Sequence, residues 1–218
     1  MRVLATTVKT KTDGGSIKVV NITTNINLDK IATPYLSIVK ASLAVAQRVW
    51  ESEEFKEALG NEIFLSNDLE GELSDYKNAS VEDIWKQLFD VKNVVGQGYR
   101  GKVELDLATY NNSWTSAIGY GLPTDDIIRL NIKYLKKLSP ENPISLMDLG
   151  SLITHEFSHN RGFDHDFKKT KRRPNSLSYV INRAFESSYI KIFNVPTVKT
   201  ETKFYIPWYK RLYRAIFK

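Results

Sequence analysis

The sequence predicts a single α/β (α+β) domain. Apolar residues alternate with polar ones in several short runs, they recur at helical spacing in several longer runs, and no linker, repeat or low-complexity stretch divides the chain. With 218 residues and 42% hydrophobic content, one unit spanning 1–218 can bury a full core. A cleft then has to form inside it, between a sheet-and-helix lobe at about 16–135 and a helical lobe at about 144–218.

The elements follow in order. Ile17 to Ile26 predicts a strand, with Val20, Ile22, Thr24 and Ile26 on one side and Val19 and Thr23 on the other. Thr33-Pro34 offers an N-cap and a proline at the first helical position, and Leu36, Val39, Leu43, Ala46 and Trp50 form an apolar stripe. This long helix is expected to run on or kink through Phe55 and Leu59 and to stop at Gly60. Ile63 to Leu65 is a short strand candidate, and the polar, acidic stretch Ser66 to Asn78 reads as an insertion or loop. Ser80 with Asp83 predicts a capped helix carrying Ile84, Trp85, Leu88 and Phe89.

Val103, Leu105 and Leu107 alternate with Glu104, Asp106 and Ala108, the pattern of a half-buried strand. A short strand at Ala117 to Gly121 comes next, where Gly119 and Gly121 flank Tyr120 and signal a bulge or a close backbone approach. Beyond the turn Pro123-Thr124-Asp125-Asp126, Ile128, Leu130 and Ile132 alternate as a third strand. Ser145 with Asp148 is read as the cap of a helix whose apolar positions include Leu146, Leu149, Leu152, Ile153 and Phe157. A last helix is expected over roughly Ser178 to Phe193, packing through Val180, Ile181, Ala184, Phe185, Tyr189 and Ile192.

Composition narrows the chemistry. The absence of cysteine removes disulfides, thiolate ligands and a cysteine nucleophile together. No stretch approaches the roughly 18 apolar residues of a membrane span, and Met1 to Gly15 has no apolar signal core, so a cytoplasmic protein or one exported with its signal removed is expected. The net charge of +6 is uneven: Lys168, Lys169, Lys171, Arg172 and Arg173 form one block, and Lys203, Lys210, Arg211, Arg214 and Lys218 another. Both read either as solvated faces or as a basic rim for acidic partners. Tyr205, Trp208, Tyr209, Tyr213 and Phe217 interleave with the tail charges, which fits packing on the domain or contact with a membrane surface.

The three histidines of the chain all fall within residues 155 to 165, which read His-Glu-Phe-Ser-His-Asn-Arg-Gly-Phe-Asp-His. A random scatter would reach this spacing with a probability on the order of one in ten thousand, which weighs against the plain alternative of three surface histidines at a helix end. His155 and His159 lie one helical turn apart on the same face, so both imidazoles can reach one ion. Glu156 sits beside the first ligand, suitably for a general base toward a metal-bound water. Gly162 can take the left-handed conformation that ends a helix, and the turn swings His165 back. Three nitrogens leave a fourth position open, the pattern of a catalytic zinc site.

With His155, Glu156, His159, Gly162 and His165 in this spacing, the chain resembles the metzincin clan of zinc metallopeptidases. The order of elements over about 16–193 is similar as well. The resemblance implies a twisted, mostly parallel sheet with an antiparallel edge strand, a long helix, an active-site helix and a C-terminal helix. It also implies one catalytic Zn2+ and peptide or protein substrates. In that clan a methionine in a tight turn underlies the ligands, but the two methionines here, Met1 and Met147, both precede His165. Asn175-Ser176-Leu177-Ser178-Tyr179 resembles the Met-turn segment with Leu177 in the methionine's place. On that alignment Tyr179 matches a tyrosine that binds zinc or the reaction intermediate; the alternative is a tyrosine that merely starts the last helix. Asp166 follows the third histidine as in one branch of the clan and is expected to orient a ligand or a turn, or else to cap or meet solvent. Gly119, Tyr120 and Gly121 match the edge strand on which an extended substrate pairs, and glycines there would limit hindrance; the alternative is an ordinary hairpin edge.

The function expected is peptide-bond hydrolysis by metal-activated water, in a monomer, with Glu156 as base. A zinc-binding module without chemistry and a basic polyanion-binding or surface-binding protein are the alternatives. No nucleic-acid motif is present in the sequence to favour nucleic acid as a partner.

Overall fold

A computed structural model describes residues 3–4, 23–65, 80–89, 102–112, 117–122, 125–163, 165 and 176–195. Strands β1 (Val3–Leu4), β2 (Thr23–Lys30), β3 (Lys102–Tyr110), β4 (Gly119–Leu122) and β5 (Asp125–Asn131) form one sheet in the order β1-β2-β3-β5-β4. The inner strands β2, β3 and β5 are parallel, and β1 and β4 pair antiparallel at the two edges. Among the described residues six helices complete the mixed α/β fold: α1 (Leu36–Trp50), α2 (Glu53–Leu65), α3 (Val81–Phe89), α4 (Ile132–Leu135), α5 (Pro143–Asn160) and α6 (Leu177–Phe193). None of the described helices is long and apolar enough to cross a membrane.

Local chemistry sets the boundaries, and several differ from the sequence reading. The first predicted strand runs on to Lys30, and its residues 17–22 lie outside the described set. Thr33 does not cap; Ala32 precedes a 3-10 turn, Thr33–Tyr35, with Pro34 inside it. The long helix breaks at Ser52, whose hydroxyl donates to the Val49 carbonyl at 2.7 Å and accepts from the Phe55 N–H at 3.1 Å, capping α2. Gly60 does not end α2. The helix continues through Ile63 to Leu65, so the strand expected there is a helix end. A Cβ on Gly60 would lie 3.3 Å from Val81 Cγ2, which marks a close approach of α2 to α3.

The Ser80–Asp83 box is formed as predicted, with reciprocal bonds of 3.0 and 3.2 Å between each backbone N–H and the other's side chain. At the other end of the sheet, Ile132 is the first residue of α4 rather than the last of a strand, because Asn131 Oδ1 accepts from the Lys133 N–H at 3.0 Å and starts a helix. The cap of α5 is Asn142, three residues before the predicted Ser145; its Oδ1 accepts from the N–H of Ile144 at 2.9 Å, and Pro143 fills the first turn.

The core lies where α1, α5 and α6 pack together with the sheet. Trp50, Phe55, Trp85, Phe89, Phe157 and Phe185 form a connected aromatic cluster, with Trp50 and Phe157 rings 5.5 Å apart. The Trp50 indole N–H is satisfied by Thr154 Oγ1 at 2.9 Å, which joins α1 to α5. Arg183 pairs with Glu62 at 2.6 Å and ties α6 to α2.

Gly150 allows α5 and α6 to meet, since a Cβ there would lie 2.8 Å from Phe185 Cζ. Gly150→Ala gains about 1 kcal/mol of helix propensity but forces a buried ring aside, at about 1–3 kcal/mol. The clash is expected to win, lowering Tm by several degrees in a thermal melt; an unchanged or raised Tm would refute the close packing.

Candidate metal centre

The site is built on the last two turns of α5, within a longer stretch, Leu149 to Asn160, in which every residue is buried. Arg161 closes the helix, and Gly162 adopts φ +88°, the left-handed conformation expected of it. The Gly162 N–H donates to the His159 carbonyl at 3.0 Å and the Phe163 N–H to the Ser158 carbonyl at 3.1 Å. These are the two bonds of a Schellman turn. The turn reverses the chain and brings His165 over the helix end, with ring centroids 5.3 Å from His155 and 4.8 Å from His159.

The ligand nitrogens of His155, His159 and His165 lie within 4.8 Å of one another, a group able to hold a metal ion. Their surroundings fit that use. His155 Nδ1 lies 3.1 Å from the Ser178 carbonyl and His159 Nδ1 lies 2.8 Å from the Phe163 carbonyl. A carbonyl can only accept, so each ring carries its proton on Nδ1 and its lone pair on Nε2, the form that ligates a metal. The donor set is imidazole alone, which suits zinc and its borderline neighbours.

Glu156 is 6% exposed, and its Oε2 accepts from the Gly121 N–H at 2.9 Å. Burial pushes its carboxyl up to about 8, against the smaller lowering effect of that hydrogen bond. The strand β4 is responsible for both conditions. Its ladder with β5 shifts register between Tyr120 and Leu122, and Gly121, at the shift, turns its N–H to the carboxylate. A Cβ on Gly121 would sit 2.3 Å from the Glu156 carbonyl oxygen and 2.7 Å from Asn160 Oδ1. One on Gly119 would sit 3.3 Å from Glu156 Cγ. The glycines are thus bare toward α5, the close backbone approach their pattern signals, and the side chains on the other face, Tyr120 and Leu122, are exposed.

The remaining predicted residues fall in two groups. Tyr179 is brought to the cluster, its ring centroid 4.9 Å from that of His155 and 5.0 Å from that of His165. Leu177 begins α6 fully buried in the core, one residue before the Ser178 carbonyl that meets His155. Asp166, the basic block at 168–173 and the aromatic basic tail lie outside the described residues.

Four contributors leave little or no mark in the sequence. The carbonyls of Phe163 and Ser178 act through the backbone and leave no residue-type signal. Asn160, whose Nδ2 donates to the Leu122 carbonyl at 3.0 Å, fastens the helix end to β4, and its only sequence signal is its place next to His159. Tyr110 is also coupled to Glu156: burial raises its hydroxyl pKa most, a hydrogen bond with Asn131 opposes the rise, and the charges of Tyr120 and Glu156 add to it. No protein family's sequence profile matches this chain, and neither does any curated protein.

The raised carboxyl sets a pH dependence for the metal-free protein. Unfolded, Glu156 ionises near 4.5; folded, near 8, so between these values the folded state holds the extra proton. Its contribution to stability is complete below the lower value and lost as pH rises through the upper one, by about 1.4 kcal/mol per pH unit at most. Glu156→Gln removes this loss. Thermal melts of the metal-free protein from pH 5 to 8 should show the variant gaining on the parent as pH rises; a constant difference would refute the buried neutral carboxyl.

Proposed function

We propose that this chain is a zinc-dependent endopeptidase with a metzincin-like catalytic domain, in which His155, His159 and His165 hold the ion and Glu156 is the general base. The observation that carries the reading is the conjunction at one helix end of three imidazoles, two with their Nδ1 protons fixed by backbone carbonyls, and an adjacent carboxyl. A structural site needs the imidazoles and has no use for the carboxyl. The parallel strands with an antiparallel β4 at the edge, α5 carrying the ligands and α6 closing the site also agree with such a domain.

Held by His155, His159 and His165, zinc would supply a water acidic enough to lose its proton near neutral pH and a positive charge for a developing oxyanion. Glu156 would take the proton. Beside a divalent cation its carboxyl ionises more readily than in the metal-free protein, which readies it as a base. The Gly121 N–H fixes one carboxyl oxygen, so the side chain meets the water in a defined orientation and then returns the proton to the leaving amine. The Tyr179 hydroxyl would donate to the oxyanion, its ring lying beside those of His155 and His165. An extended peptide lies along β4, whose outer edge offers backbone groups.

One observation favours a second reading, a metal-binding module without catalysis. Glu156 is 6% exposed and already occupied by Gly121, a poor position from which to serve an incoming substrate.

Elemental analysis of protein never exposed to chelator should give about one zinc per chain; a content near zero would sink the metal site. Glu156→Ala should keep that metal yet lose at least about a hundredfold in cleavage of a denatured protein or peptide library. Zinc-loaded parent protein that cleaves nothing would favour the non-catalytic module, and equal cleavage by the variant would exclude Glu156 as base.

A further inference from the structure

The helices α5 and α6 run antiparallel, and their polar contacts form a regular ladder. Tyr189 Oη donates to the Pro143 carbonyl at 2.9 Å at one end. In the middle, Ser151 Oγ lies 2.7 Å from Asn182 Oδ1 and 3.0 Å from Glu186 Oε1, and Asn182 Nδ2 donates to the same Glu186 oxygen at 3.0 Å. At the other end His155 Nδ1 donates to the Ser178 carbonyl at 3.1 Å. Ser151 and His155 are four residues apart on α5, and Asn182 and Ser178 are four apart on α6, so the middle and end contacts are successive rungs of one interface.

Ser151 and Asn182 are fully buried and Glu186 is 5% exposed. Polar groups so deep in a helix interface lose their partners if one helix slides by a turn, whereas the apolar residues around them can re-pack. A triangle of this kind therefore fixes register more strictly than it adds stability. The same slide would carry the Ser178 carbonyl and Tyr179 away from His155.

We propose that Ser151, Asn182 and Glu186 are positioning residues for the metal centre: they lock the register of α6 on α5 so that the Ser178 carbonyl holds His155 with its proton on Nδ1 and its lone pair toward the ion. The purpose of the lock rests on the metal-site reading given above. The lock itself does not, because the orientation of His155 is a property of the metal-free protein.

Two measurements on the full chain test it. The first is the His155 tautomer in metal-free protein at pH 8, from long-range proton–nitrogen NMR correlations. The second is zinc affinity, by competition with a chromophoric chelator. Asn182→Leu is the main variant, and Ser151→Ala is the gentler one should the first not fold. Ile84→Val, in α3 and away from both helices' polar contacts, is the control for lost stability alone. The expected result is a parent with His155 in the Nδ1-protonated form, and a locking variant with mixed tautomers and zinc binding weakened about 10-fold to 100-fold, while Ile84→Val changes neither. A locking variant that lowers Tm but leaves tautomer and affinity as in the parent would overturn the proposal. A parent that binds no zinc would overturn the metal reading and remove the purpose of the lock. The tautomer shift would then still decide whether the triangle orients His155.

Discussion

A helix buried on all sides has to find partners for every polar group it carries inward. From Leu149 to Asn160, α5 carries Ser151, Thr154, His155, Glu156, Ser158, His159 and Asn160 into the interior. An unmet donor or acceptor there costs about 1–3 kcal/mol. Each neighbouring element answers part of this demand. α1 supplies the Trp50 indole to Thr154, α6 supplies Asn182 and Glu186 to Ser151 and a carbonyl to His155, β4 supplies backbone groups to Glu156 and Asn160, and the turn after the helix supplies a carbonyl to His159. Ser158 turns to the His155 carbonyl of its own helix. The arrangement of elements around α5 is in this sense the solution to a hydrogen-bonding problem, and the cluster of imidazoles is its outcome.

What could be read from the sequence was whatever is encoded locally. The three histidines and Gly162 are spaced by helix geometry and a turn that only glycine takes easily, and both features stand where that spacing put them. The Ser80–Asp83 box and the alternation in β3 are likewise local codes. Errors arose where two local codes competed. Ser145 and Asp148 imitate a capping box, but Asn142 before Pro143 combines a good cap with a residue preorganised for the first turn, and that pair prevailed. Gly60 resembled a helix stop, yet the packing of α2 against α3 outweighs its modest cost inside a helix.

The groups that orient the imidazoles are illegible for a different reason. Ser178 lies 23 residues from His155, and Asn182 lies 31 from Ser151, so their pairing exists only once two helices have docked in one register. The edge-strand glycines show the same limit. Their pattern signalled close approach, but only the fold reveals that the approaching body is α5.

That His155 and His159 are steered by main-chain carbonyls has a consequence for how this site tolerates mutation. Every amino acid brings the same carbonyl, so positions 163 and 178 can change identity without losing that function, provided the backbone stays in place. A scan that truncates side chains there would report packing alone and pass over the steering groups. The structural demand falls instead on Gly162, which sets the path of the turn, and on the residues that hold α6 against α5. Sequences far from this one could therefore keep the same imidazole geometry while sharing few letters outside the histidines and that glycine.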